Sequence, residues 1–442
     1  MSARIAIAGG GPTGLMMARL LAADGHDVVV FEAGRQIGGL CQSRIVDGYV
    51  FDQAGGHILF TRDERISRFW DELFADEPAH VSERRTRILH DNDHWVSYPF
   101  ENALGELPLE HNIECTEGVL RAHLARQAGT PEPEDFESWI RWKMGAGITQ
   151  HFMKPYNQKI WKTDLATMGT SWIAGRVPDA PLEDILRASF GSTTEGYTHQ
   201  SVFRYPMRGG FADMHERIAR PVRDRIVLEH RVQSIERASG EGWLVDGERF
   251  DKVVSTIPLH VLPDVMACMD DDAAAAARGL RFRGVASYLV GLDHDDIPDF
   301  SWVYLPHAKQ GPANRITYLS NYSPNNAPTG KASIMAEVTY AGTPPPIDKA
   351  GRRDLAASLA GAGLLDESRV AVTDAHLNPV AYILYDIGFE AKRERVVSWC
   401  DAQPGFHVVG RFGRYEYHNS DQCLARAMDL HASMAVDLAV GR

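Results

Sequence analysis

Glycines at short, fixed intervals open the chain: Gly9, Gly10, Gly11 and Gly14, then Gly38 and Gly39, then Gly55 and Gly56, with Glu32 and His57 among them. Backbone bare of side chains can wrap a pyrophosphate, and a carboxylate about 20 residues further on can accept hydrogen bonds from ribose hydroxyls. The elements that must position these groups are readable around them. Residues 5–8 form an apolar strand, residues 15–23 a helix and Asp27–Phe31 a second strand, which sets the first glycines in a strand-to-helix turn. Gly9 allows the tight turn, Gly11 lets the backbone approach phosphate, and Gly14 lets helix and strand pack closely. The helix that follows Pro12 and Thr13 offers N–H groups and the positive end of its dipole at its N-terminus.

A nicotinamide enzyme would satisfy this much. The second pair, Gly38-Gly39 before Leu40, returns backbone to a phosphate and resembles the flavoprotein superfamily of amine oxidases and protoporphyrinogen oxidase. That resemblance implies FAD and an α/β fold with a discontinuous Rossmann-type FAD-binding domain. The candidate cofactor contacts are Gly9, Gly11, Pro12, Thr13, Gly14, Glu32 and Ala33 in the first unit. Gly38, Gly39, Leu40, Gly55, Gly56 and His57 follow, with Val232, Gly410 and Ser420 far downstream.

Composition narrows the partners. With 46 basic against 59 acidic residues, a net charge of −13, and no basic block, nucleic acid is disfavoured, and an anionic substrate would need local arginines. Cys41, Cys115, Cys268, Cys400 and Cys423 are widely spaced and form no CxxC pair, so reduced thiols and no zinc site are expected. No run approaches the roughly 18 to 20 apolar residues of a membrane span, and no signal peptide precedes the first strand. The expectation is a soluble cytoplasmic protein with no membrane partner. Its oligomeric state is not readable.

The FAD-binding part is expected from residues 1–104, 205–265 and 391–442, because strand patterns at 227–235, 252–257 and 406–411 recur downstream and a helix follows over 421–440. Helical periodicity at 118–126 and 136–144 makes 105–204 a mainly helical insert. Alternation at 285–292, 315–320 and 333–340 makes 266–390 an antiparallel sheet that would hold substrate. The small run Gly145-Ala146-Gly147 suits either loop movement or helix packing.

Beyond the fingerprint, four motifs in order resemble the UDP-galactopyranose mutase family, more the eukaryotic than the bacterial type. They are Tyr98-Pro99-Phe100-Glu101-Asn102, Phe152-Met153-Lys154-Pro155-Tyr156-Asn157, Arg315-Ile316-Thr317-Tyr318 and Gly410-Arg411-Phe412-Gly413-Arg414-Tyr415. The resemblance implies a flavin-dependent interconversion of pyranose and furanose nucleotide sugars through an adduct between N5 of reduced FAD and the sugar, with NAD(P)H as reductant. It assigns Arg315 and Arg411 to the diphosphate, Tyr304, Tyr382 and Tyr415 to the same phosphates, Asn157 to sugar or phosphate, Asn419 to the neighbourhood of the flavin, and His57 to the flavin ring. Guanidinium forks fit phosphate bidentately, and phenols donate without adding charge. Taken singly, each arginine reads as a surface residue, each tyrosine as packing, each asparagine as a turn cap, and His57 as a partner for local backbone.

The sequence departs from the family at Glu101, where the eukaryotic mutases carry glutamine beside the Tyr98 and Phe100 aromatic platform for the base. An ionised carboxylate only accepts, so it suits a donor-rich base edge such as guanine or cytosine better than uracil. Exposure to solvent or pairing with Arg85 or Arg87 is the plain alternative. The remaining histidines show no spacing that suggests a metal. Two rival functions stand beside the mutase: a net FAD-dependent oxidoreductase of the amine oxidase or protoporphyrinogen oxidase type, and a flavin-free binding protein like the Rab escort and GDP-dissociation-inhibitor group.

Overall fold

A computed structural model describes residues 2–91, 94–174, 176, 177, 180–192 and 201–440, so parts of the expected helical insert (175, 178, 179 and 193–200) lie outside the described residues. The apolar runs Arg4–Ala8 and Asp27–Phe31 pair in parallel, as their patterning predicts. The rest of their sheet comes from far along the chain. Its order is Phe406–Val408, Lys252–Ser255, Arg4–Ala8, Asp27–Phe31, Ile226–Val227, parallel throughout. Helix Pro12–Ala23 starts with proline in its first turn, where no intrahelical donor is lost. It buries Leu15, Met16 and Met17 and packs against helices Ser420–Val440 and Ala212–Ala219.

A second sheet stands apart from the first. Its seven strands run Val370–Leu384, Arg281–Leu292, Ala332–Tyr340, Arg315–Tyr318, Trp302–Tyr304, Thr86–Asp91, His94–Ser97. All pairs are antiparallel except Trp302–Tyr304 beside Thr86–Asp91. Arg281–Leu292 is buried over most of its length and is paired on both sides. Helices Leu109–Gln127, Phe136–Ile148, Lys154–Trp161 and Leu182–Ser189 are the α-helices of the stretch between strands His94–Ser97 and Val202–Tyr205 among the described residues. Asp135 caps the second of these by accepting from Ser138 N at 2.8 Å, and Asp270 caps Asp271–Arg278 in the same way through Ala273 N.

Two local expectations need correction, and one left open is decided. The alternating stretch 227–235 is no single strand: Ile226–Val227 and Ile235–Arg237 are separated by a loop. Its amides turn to other acceptors, with Glu229 N and His230 N donating to Gly34 O and Glu32 O, and Gln233 N and Ser234 N donating to Asp246 Oδ1. The strand at 406 stops at Val408, because Gly410 has φ +94°. Gly145 and Gly147 serve packing. A Cβ on Gly145 would lie 2.1 Å from the Gly118 carbonyl carbon, and one on Gly147 would lie 2.5 Å from Cys115 backbone. Among the described residues, no helix is long and apolar enough to cross a membrane.

Candidate active site

A cavity of about 1620 Å³ runs from the first glycine turn, past the C-terminal edges of the parallel strands, to the face of the second sheet. Its first end is made of backbone. A Cβ on Gly9, whose φ is +107°, would meet Thr256 Oγ1 at 2.3 Å, and one on Gly14 would meet Gly9 O at 2.0 Å. Gly38 has φ +106° and donates its N–H to Gly10 O at 2.8 Å. Gly39 faces Gly11, its Cβ position 3.3 Å from the Gly11 Cα. The two glycine loops are thus held against each other without side chains. Glu32 ties them to the next loop, accepting from Gly10 N and Gly34 N at 2.7 Å each.

Gly9, Gly11, Pro12, Thr13, Glu32 and Ala33 line this end, with Gly39 and Leu40 opposite. Val232, Gly410 and Ser420 close it from the later segments, and Ser420 brings a second helix N-terminus to the cavity. This cradle fits FAD on its own evidence: a groove in which added Cβ atoms would collide, two helix starts, and a carboxylate at the end of the second strand. Gly14, Gly38 and Gly55 stand behind the lining. Gly14 does the packing expected of it, while Gly55 leaves room for Arg315 Nη2 and Glu337 Oε2, at 3.2 and 3.1 Å from its Cβ position.

The far end is made of side chains. Arg315 donates from Nε to Glu337 Oε1 at 2.7 Å, and the Glu337 carboxylate is nearly inaccessible. Burial is the largest single influence and works against the Arg315 charge, yet Glu337 and the neighbouring groups together outweigh it and the guanidinium stays protonated. Arg411 donates to His418 O at 2.9 Å, its Nε is buried without a partner, and no carboxylate pairs with it among the described residues. Burial first, then the Arg315 and Arg411 charges, push His57 down to about 4, so its imidazole is neutral at pH 7. The ring stacks on Phe211 with centroids 5.3 Å apart.

Tyr98, Glu101, Asn157, Tyr304, Tyr382 and Asn419 also line the cavity, as do His57, Arg315 and Arg411. Glu101 is buried inside rather than exposed, and Arg85 bonds Asp299 instead. Burial raises the Tyr304 and Tyr382 phenols, so both stay neutral donors. Asn157 donates to Met153 O at 2.8 Å and accepts from Trp161 Nε1 at 3.1 Å, which fixes the indole that also lines the wall. Asn419 precedes the last helix, and its Oδ1 accepts from Arg176 Nη1 at 2.9 Å.

Two expected substrate-binding residues do not reach the cavity. Tyr415 is fully buried with φ +50°, and its hydroxyl lies 2.5 Å from His260 Nδ1. Tyr417 takes the place expected of it, with the Arg176 and Arg411 guanidiniums 4.2 and 4.7 Å from its ring centroid. Phe100 is likewise fully buried, stacked at 5.1 Å behind Phe152, and Phe152 is the ring that faces the cavity. Sequence reasoning also missed Arg176 and Tyr156 as site residues. The aromatic density of residues 152–161 was the available signal for Tyr156, and the arginine four residues after Trp172 had none.

A sequence profile of the flavin containing amine oxidoreductases matches residues 12–411. Reduced UDP-galactopyranose mutase has a similar structure, with a TM-score of 0.89 at 25% identity, covering 98% of this chain and 94% of that one. A CLA-producing fatty acid isomerase from P. acnes (TM-score 0.65, 13% identity, 98% of each chain) and putrescine oxidase bound to putrescine (0.65, 14%, 99% of each) share the fold. The uncharacterized protein in the nifH2 3′ region of Methanothermococcus thermolithotrophicus is 40% identical over 65 residues, 15% of this chain. The chain spans 63% of that protein's length.

Proposed function

Because the chain belongs to the flavin-containing amine oxidoreductase family, we propose that it is an FAD-dependent nucleotide-sugar mutase interconverting pyranose and furanose forms. The observation that carries this reading is the gathering of Arg315, Arg411 and Arg176 with Tyr304, Tyr382 and Tyr417 in the cavity that continues from the glycine cradle. Three guanidiniums suit a diphosphate and do not suit an apolar amine. Bound FAD, once reduced by NAD(P)H, supplies a nucleophilic ring nitrogen for the anomeric carbon, so the net reaction is redox-neutral.

The chain's own groups do the holding. Arg315 and Arg411 keep the diphosphate beside the sugar between its departure and its return, which removes the entropic cost of recapturing it from solution. The neutral phenols of Tyr304, Tyr382 and Tyr417 donate hydrogen bonds to the same oxygens. His57, held neutral, can donate or accept a hydrogen bond without adding charge beside the neighbouring arginines. Phe152, Tyr156 and Tyr98 form an aromatic wall for a base, and Glu101 beside it accepts from ring N–H and amino groups. That favours guanosine or cytidine over uridine.

The test is anaerobic incubation of the dithionite-reduced holoprotein with UDP-, GDP-, CDP- and dTDP-hexopyranoses, followed by chromatographic detection of furanose. The expected result is interconversion without stoichiometric loss of reductant. Turnover that consumes oxygen and releases peroxide in step with product, or no conversion of any nucleotide sugar, would overturn the reading.

A further inference from the structure

Three imidazoles with no common sequence spacing meet behind the aromatic wall. His90 lies on strand Thr86–Asp91, His111 on helix Leu109–Gln127, and His151 in the π-helical turn Thr149–Met153. One ring nitrogen of each lies within 4.8 Å of those of the other two. His90 Nε2 is 2.9 Å from His111 Nδ1, while His90 Nδ1 is buried with no hydrogen-bond partner in a side chain that is 2% exposed. The His111 and His151 rings lie 4.1 Å apart, and the His307 ring is 5.9 Å from that of His90. Glu114 Oε2 approaches His151 Nε2 at 2.6 Å.

This is the chemistry of a transition-metal site. Imidazole nitrogens suit zinc-like ions, a carboxylate on a ligating histidine fixes its ring, and nitrogens about 3.3 Å apart correspond to tetrahedral bonds of about 2.0 Å. We propose that His90, His111 and His151 bind one divalent transition-metal ion of the zinc type, with Glu114 orienting the His151 ring through its hydrogen bond. None of the four lines the substrate cavity, so the role is structural. The ion would clamp the seven-stranded sheet to the helical insert, immediately before the helix carrying Tyr156 and Asn157. It would also brace Phe100, whose ring is 6.0 Å from His90 and stacks on the cavity residue Phe152. The inference stands whether or not the chain is a mutase.

The test uses full-length, flavin-loaded protein without a histidine tag, stripped with EDTA and titrated with zinc chloride by calorimetry and by thermal melting. Saturable uptake of one equivalent with a rise in melting temperature is expected. H111Q and H151Q should each weaken binding about 100-fold or more, with flavin content unchanged to show that the fold is intact. H123Q, on the same helix but outside the cluster, should bind as the parent does. No saturable binding by the parent, or equal binding by H111Q and H151Q, would overturn the site.

Discussion

The two ends of the cavity are built by different means. At the glycine end, the groups aimed inward are peptide N–H dipoles and helix starts, and their positions depend on the absence of Cβ atoms. At the arginine end, long side chains carry full charges, each steadied by its own partner: Glu337 for Arg315, Asn419 for Arg176, the His418 carbonyl for Arg411. A backbone site tolerates no added atom and fails as a unit. A side-chain site fails by degrees, according to which partner each member leaves behind.

The sharpest test of that contrast is Gly14→Val, whose Cβ would sit 2.0 Å from a carbonyl that cannot move without opening the turn. Flavin retention, read as flavin against protein absorbance after purification, should be lost. Next in size, Arg315→Ala leaves the Glu337 carboxylate buried and uncompensated, and should cost about 3–5 kcal/mol in urea unfolding. Adding Glu337→Gln should recover most of that stability but not activity. If R315A alone were as stable as the parent, the pairing would have no structural weight.

Arg411→Ala offers the opposite profile. With no ionic partner to strand, it should fold normally and lose about 10- to 150-fold in kcat/KM, the equivalent of about 1.5–3 kcal/mol for hydrogen bonds to a charged group. Smaller again is the tyrosine pair. Tyr417→Phe should lower kcat/KM about fivefold while Tyr415→Phe leaves turnover alone and costs about 1 kcal/mol of stability through His260. Equal effects on turnover would place both phenols at the substrate.

The smallest expected effect is on pH dependence. The folded His57 is shifted down from 6.5 to about 4, so between those values the unfolded chain binds the extra proton and stability falls as pH falls. Asp52, raised by burial from 3.8 to about 6, has the opposite slope over much of the same range. Replacing His57 by glutamine should therefore flatten or reverse the acid-side decline in melting temperature of the flavin-free protein.

The glycine end was legible in the sequence because its geometry dictates residue type. Only glycine sits at φ +107° against Thr256, so spacing alone locates the turn. Arg315 and Arg411 were legible through their motifs. Tyr415 and Tyr417 lie two apart in an irregular loop, and a left-handed backbone at Tyr415 decides which ring turns inward, something no periodicity encodes. Phe100 and Phe152 illustrate the same difficulty, since stacked rings from separate segments can exchange the roles of wall and support. The His90, His111 and His151 group was invisible because a strand, a helix and a turn each contribute one member.

The parallel sheet carries a further consequence, for synthesis. Strands Arg4–Ala8 and Phe406–Val408 flank the same strand Lys252–Ser255, and Gly410 seats against Thr13, its Cβ position 2.8 Å from the threonine hydroxyl. Pairings that span nearly the whole chain close slowly, and until they close an apolar strand edge stays open to other chains. The segment Phe406–Gly410 must therefore be synthesised before the cradle is complete, and until then the edge of Lys252–Ser255 is open to other chains.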